Sequence, residues 1–209
     1  MEGLERDHGV KEYMIIGVIG GVGAGKSTVL EILEQSYSCR IYRTDDIAKS
    51  FYQAGNPVFT SLRELLGDDM IRDDHIDIPK LGQKLYQARN AGLRERIERI
   101  VHPAVWKNVD ARIRDARKEG RNIVVETALP TGHFTEKCDE VWFVHCEPEI
   151  RIKRLMESRG YSREKALGII RSQMEDEEYF SLADWVIENS GTEEETRNEI
   201  YEHCKRLEW

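Results

Sequence analysis

The stretch Gly20-Gly21-Val22-Gly23-Ala24-Gly25-Lys26-Ser27 constrains what this chain can fold into more than any other. It matches G-x-x-x-x-G-K-[ST], a phosphate-binding loop, and its surroundings are those the motif requires. The apolar run Tyr13 to Ile19 before it reads as a buried strand, and Ser27 to Leu33 after it reads as the opening of a helix. Glycines let the backbone turn so that successive N–H groups converge on one anion. The N-terminus of the following helix adds partial positive charge at the same point. Gly21, Val22, Gly23, Ala24, Gly25, Lys26, Ser27 and Thr28 are therefore expected to hold the phosphates of ATP. Lys26 is expected to reach the β- and γ-phosphates and the Ser27 hydroxyl to take Mg²⁺.

Such a strand–loop–helix is one unit of an alternating α/β fold. Five apolar runs read as strands: Ile15–Gly20, Arg40–Arg43, Ile123–Ala128, Val141–Cys146 and Trp185–Glu188. They are short and nearly continuous, as strands covered on both faces are. Helical patterns separate most of them. The expected fold is a doubly wound, parallel five-stranded sheet of the P-loop NTPase type, with its ligand crevice at the C-terminal strand ends.

Strands two and three lie roughly 80 residues apart, far more than a simple crossover needs. The intervening stretch is rich in helix formers. It carries turn signals at Gly55-Asn56-Pro57, Gly67-Asp68-Asp69, Asp73-Asp74 and His102-Pro103. It reads as a helical insertion over residues 47–119, placed to receive a second substrate. Residues 13–46 and 120–209 form the expected nucleotide-binding core, and residues 1–12 an N-terminal extension. From Pro148 to Met174 two helices are joined at Arg159-Gly160-Tyr161-Ser162, with arginines and lysines along both. Most of those charges read as solvated surface; the sharper reading is a lid, about residues 148–172, that closes over the phosphates.

Lysine and arginine number 31 against 39 aspartates and glutamates, a net charge of −8 over 209 residues. That balance speaks against a nucleic-acid partner. It also means that positive charge for a polyphosphate must be gathered locally, at Lys26 and a few arginines. No apolar run approaches the roughly 20 residues that span a bilayer. The charged start, Met1 to His8, lacks the apolar centre of a signal peptide. A cytoplasmic protein with small-molecule substrates and no membrane partner is expected. The four cysteines show no C-x-x-C spacing and read as reduced, partly buried thiols.

Several blocks, taken in order, resemble the dephospho-CoA kinase family over about Ile15 to Gly191. Gly17 to Thr28 is similar to its opening. Thr44-Asp45-Asp46-Ile47-Ala48-Lys49 is similar to its D-A-D-x-I-A segment. Lys80-Leu81-Gly82 and Val101-His102-Pro103 resemble its helical-domain signatures. Gln173-Met174 and Ala183 to Gly191 resemble its Q-M…A-D-x-V-I-x-N-S-G ending. The resemblance implies ATP- and Mg²⁺-dependent phosphorylation of the 3′-hydroxyl of dephospho-CoA, the last step of coenzyme A synthesis, by a core, a helical substrate domain and a lid.

The resemblance implies a role for particular residues. Asp45, directly after the second strand, matches the second aspartate of D-A-D, the base of the family. A loose phosphoryl-transfer transition state asks only that such a carboxylate orient the acceptor hydroxyl and take its proton late. Asp45 reads equally as a helix N-cap, though Asp46 could take that place. Arg154 matches a family arginine on the first lid helix and is expected to neutralise charge on the transferring group. Arg159 stands one position from the family's arginine, a rotation of about 100° on a helix, and its role stays open. Lys80 and His102 are expected on the acceptor side; His102 before a proline reads alternatively as a buried structural histidine at a turn. Asn189 in Asn189-Ser190-Gly191 is expected near the adenine, or else is part of a plain turn. Glu126 is either a magnesium-organising carboxylate or a structural acid.

The chain departs from the family at Arg43, Ile78, Pro130, Gly132 and Tyr179. Arg43 replaces the first aspartate of D-A-D, and Ile78 stands where an arginine is common. Pro130 and Gly132 interrupt A-L-L-x-E, and Tyr179 replaces a common lysine. Most of these positions are on the acceptor side. Two alternatives follow: a related kinase for another nucleotide or nucleoside, and a nucleotide-binding regulator without turnover.

Overall fold

A computed structural model describes residues 13–85 and 92–209; the expected N-terminal extension lies outside the described residues. β1 (Ile15–Ile19) is buried at every position and feeds α1 (Lys26–Tyr37). That helix buries Val29, Leu30, Ile32 and Leu33, the spacing of one helical face. β2 (Arg40–Arg43) leads into α2 (Thr44–Ser50) and α3 (Pro57–Leu66). The start of α3 is fixed by Asn56, whose side chain accepts from the Val58 N–H, and by Pro57 in the first turn.

A 3₁₀ turn (Asp68–Met70) precedes an antiparallel hairpin, β3 (Ile71–Arg72) and β4 (His75–Ile76). Asp73 and Asp74 turn it at φ 48° and 61°, left-handed values that aspartate tolerates. Then come α4 (Ile78–Leu85), α5 (Leu93–Glu119), β5 (Ile123–Thr127), α6 (Gly132–Thr135) and β6 (Glu140–His145). The chain ends with α7 (Pro148–Arg159), α8 (Arg163–Arg171), α9 (Asp176–Leu182), β7 (Trp185–Glu188) and α10 (Glu193–Arg206).

The main sheet has the order β2-β5-β1-β6-β7. β1 pairs in parallel with β5 and with β6, and β6 with β7. Each expected strand is present within one residue at either end. β1 is central, so the phosphate loop leaves the sheet at the switch point where ligands of such folds bind. The core between sheet and helices holds Ile16, Val18, Leu30, Leu33, Val124, Trp142, Val144, Ile187 and Ile200. Trp142 is fully buried and meets Trp185 and Trp209 edge-on, at 4.9 and 6.1 Å between ring centres. Trp185 stacks on His203 at 3.8 Å. Glu140 accepts from Trp142 Nε1 at 2.6 Å and lies 2.8 Å from His203 Nε2.

The residues form two compact units, one running to Ile41 and resuming at Ile113, the other Tyr42–Arg112. The division falls inside β2 and inside α5, whereas the sequence placed it at 46/47 and 119/120. The second unit buries Phe59, Leu62, Leu66, Ile76, Ile97 and Val101. Among its described residues it is mostly helical, with the end of β2 and the β3–β4 hairpin.

Two sequence expectations are corrected here. His102-Pro103 is not a turn, because Pro103 lies within the 27-residue helix α5. The ring forfeits one backbone bond, but the flanking apolar positions Val101, Val105, Val109 and Ile113 bury a continuous stripe that carries the helix through. His102 is exposed, so the buried-histidine reading fails as well.

The altered segment after β5 has a structural account. Thr131 caps α6 by accepting from the Phe134 N–H, and Phe134 is buried against Gly17 of β1. Tyr179 is also a core residue: its ring stacks on Phe143 at 5.0 Å and its hydroxyl donates to the Ala128 carbonyl at 2.9 Å. All four cysteines are free thiols. Burial pushes those of Cys39 and Cys138 up to about 12 and that of Cys204 to about 11. Among the described residues no helix is long and apolar enough to cross a membrane.

Candidate active site

The phosphate loop begins where β1 ends and closes on the N-terminus of α1. Gly25 is the N-cap, at φ 93°. Any side chain there would meet both a left-handed backbone and the Asn189 amide, onto which a Cβ would fall directly. The Thr28 N–H donates to Gly25 O at 3.0 Å, which starts the helix. Ser27, the second residue of α1, is exposed.

Lys26 curls back across the loop. Its ammonium donates to the carbonyls of Gly20 (2.9 Å) and Gly21 (3.2 Å) and lies 3.4 Å from Glu126 Oε1, both side chains being 13% exposed. Glu126 projects from β5, next to β1 in the sheet. A buried ammonium needs such partners, and an arriving phosphate offers stronger ones. The oxygen donors fit Mg²⁺, which prefers hard oxygen ligands: the exposed Ser27 hydroxyl would hold it, and Glu126, beside Lys26, is a carboxylate of the kind that would organise its waters. Among the described residues no cluster of three acidic, histidine or cysteine side chains offers an all-protein cage.

Asn189, after β7, is 3% exposed. Its amide donates to Ala24 O at 2.7 Å and its oxygen accepts from Thr196 of α10 at 2.7 Å. The side chain thus ties the loop to α10. Arg154 Nη1 donates to the same Ala24 carbonyl at 3.3 Å and contacts Cys146 Sγ at 3.4 Å. Burial raises the Cys146 thiol, and the Arg154 charge opposes that shift. Arg159 is the last residue of α7 and is exposed.

Sequence reasoning missed two contacts. Arg151, grouped with the solvated charges of the hairpin, is 4% exposed and bonded to the loop. Gln173, noted only as part of a motif, accepts from the Val22 N–H at 2.8 Å. A signal for Arg151 was present: it shares a helix face with Ile152 and Leu155, both buried.

The remaining candidates lie in the other unit. Asp45 is the second residue of α2 and is exposed; the N-cap of that helix is Arg43, so Asp45 is not its cap. Its negative charge sits well in a first turn. Burial, and after it the Asp45 charge, holds the Tyr52 phenol above its usual range. Lys80, in the first turn of α4, pairs with Asp69 at 3.6 Å on the surface. Ile78 begins the same helix and is 46% exposed.

The family model for dephospho-CoA kinase matches residues 14–195. The chain is 36% identical to the dephospho-CoA kinase of Carboxydothermus hydrogenoformans, over 93% of this chain and 95% of that one. It is 33% identical to that of Bacillus cereus, over 90% and 94%. A crystal structure from Thermus thermophilus superposes with a TM-score of 0.74 at 26% identity, over 93% of this chain and 97% of its own. A shikimate kinase from Bacteroides thetaiotaomicron, at 14% identity and TM-score 0.52 over 94% and 99%, shares the fold alone. A family match over residues 14–195, with relatives 33–36% identical over at least nine-tenths of each chain, decides the matter: this chain belongs to the dephospho-CoA kinase family.

Proposed function

We propose that this chain transfers the terminal phosphoryl group of ATP to the 3′-hydroxyl of dephospho-CoA, giving coenzyme A. The observation that carries the reading is the built phosphate loop, with Lys26 held at its mouth, in a chain of this family. The loop amides ahead of Thr28 and the α1 N-terminus hold the phosphates. Lys26 exchanges its loop carbonyls for β- and γ-oxygens and stabilises the charge that grows as the bond to the leaving group lengthens. Mg²⁺, held by Ser27 with Glu126 nearby, supplies charge neutralisation between the phosphates when bound. Asp45 orients the 3′-hydroxyl and accepts its proton. Arg154, held beside Ala24, adds positive potential to the phosphate site, and Arg159 joins it from the end of α7. Lys80 and His102 contact the acceptor. Asn189 serves the adenine side chiefly by fixing the loop. A cytoplasmic setting suits soluble substrates and four reduced thiols.

Incubating the protein with ATP, Mg²⁺ and dephospho-CoA tests the reading. ADP and coenzyme A should form in equal amounts. ADP release no greater than in the absence of acceptor would overturn it.

A further inference from the structure

Val22 is gripped at both of its backbone polar groups. Its N–H donates to Gln173 Oε1 at 2.8 Å, and its carbonyl accepts from Arg151 Nε at 3.1 Å. Arg151 Nη2 donates to the same Gln173 oxygen at 3.2 Å, which locks the two side chains together. Arg151 Nη1 pairs with Asp176 Oδ1 at 3.4 Å, the arginine side chain being 5% exposed. The other Asp176 oxygen lies 3.6 Å from His145 Nε2, and His145 Nδ1 lies 2.6 Å from Glu188 Oε2. Glu188 immediately precedes Asn189, the brace on Ala24. A guanidinium is costly to bury unless every nitrogen is used, and here all three are.

Gly21 supplies an independent observation. It is not among the glycines with positive φ, so its backbone does not demand glycine. Yet a Cβ at residue 21 would fall on Arg151 Nη2. The glycine is there to admit the guanidinium.

We propose that Arg151 and Gln173 are positioning residues for phosphoryl transfer. They fix the phosphate loop by holding both backbone polar groups of Val22, turning its N–H away from the nucleotide. Neither touches the substrates. Because Arg151 lies on α7 and Gln173 follows α8, both arms of the helical hairpin are tied into the loop's geometry. The inference rests on that loop being the ATP phosphate site.

MgATP binding by calorimetry, with steady-state kinetics on the full chain, tests it. Arg151→Ala should weaken MgATP binding about tenfold or more, and Gln173→Met, which keeps the packing, about threefold to tenfold, the range of one or two lost hydrogen bonds. In both, KM for dephospho-CoA should stay within about twofold, a split that general unfolding would not give. Gly21→Ala should cost wild-type protein about as much as Arg151→Ala, and little more once Arg151 is already alanine, because both changes remove the same contact. MgATP affinity within about twofold of wild type in both Arg151→Ala and Gln173→Met would overturn the proposal. So would a Gly21→Ala penalty equal in the two backgrounds. Wild-type protein that bound no MgATP would instead overturn the nucleotide reading of the loop, and this proposal with it.

Discussion

The phosphate loop and the acceptor-side residues are built in opposite ways. The loop is held by buried bonds to residues far along the chain: Arg151 lies 129 positions from its partner Val22, Gln173 151 positions, and Asn189 165 positions from Ala24. The residues assigned to the acceptor are exposed and held locally. Asp45 sits in the open first turn of α2, Lys80 pairs with Asp69 eleven positions away, and His102 projects from the middle of α5. A surface ion pair such as Lys80–Asp69 contributes little. The difference teaches that the phosphate loop is held in one geometry by buried bonds, whereas the side chains proposed for the acceptor stand at the surface, free to adapt. Preorganised groups aimed at developing charge are what accelerate phosphoryl transfer.

Substitutions can break or sharpen that contrast. The largest effect is expected for Lys26→Met, which should lower kcat/KM by about 1,000-fold or more, because the charge facing the γ-phosphate is lost. A loss under tenfold in the same kinetics would remove Lys26 from the mechanism. Asp45→Asn should come next, lowering kcat by about 100-fold while KM for MgATP stays within about twofold. A matching rise in that KM would tie Asp45 to the nucleotide instead. Asn189→Ala should weaken MgATP binding about tenfold and lower stability by about 1–3 kcal/mol in denaturant unfolding, since it removes two buried hydrogen bonds, leaving the Ala24 carbonyl only Arg154 and the Thr196 hydroxyl only Thr192. Lys80→Ala should have the smallest effect, about threefold on KM for dephospho-CoA with no change in melting temperature. If Lys80→Ala destabilised the protein more than Asn189→Ala, the contrast between the two regions would be wrong.

The same contrast explains what could be read from the sequence. β1, β5 and β6 are buried, nearly continuous apolar runs, and together with the less buried β2 and β7 they were visible to within a residue. The α7–α8 hairpin was visible because Gly160 takes a left-handed φ of 63° after α7 and Ser162 caps α8. The β3–β4 hairpin was not, as two residues per strand carry no alternation to detect. The long helix α5 was cut at Pro103 by a local rule that its buried stripe overrode. At the site, the loop, Lys26 and Ser27 were legible because their chemistry is local in sequence. Arg151 and Gln173 were not, because their partners lie more than a hundred residues away. Asn189 was visible as a motif, but its buried bonds to Ala24 and Thr196 were not.

The tryptophan cluster has a practical consequence. Three of the four tryptophans, Trp142, Trp185 and Trp209, crowd together in the larger unit, with the imidazole of His203 stacked against one of them. Intrinsic fluorescence therefore reports chiefly on that half of the molecule. An emission-monitored melt would follow the sheet and α10, while loosening of residues 42–112 would be seen only through Trp106; far-ultraviolet dichroism, which sums over all helices, would register both.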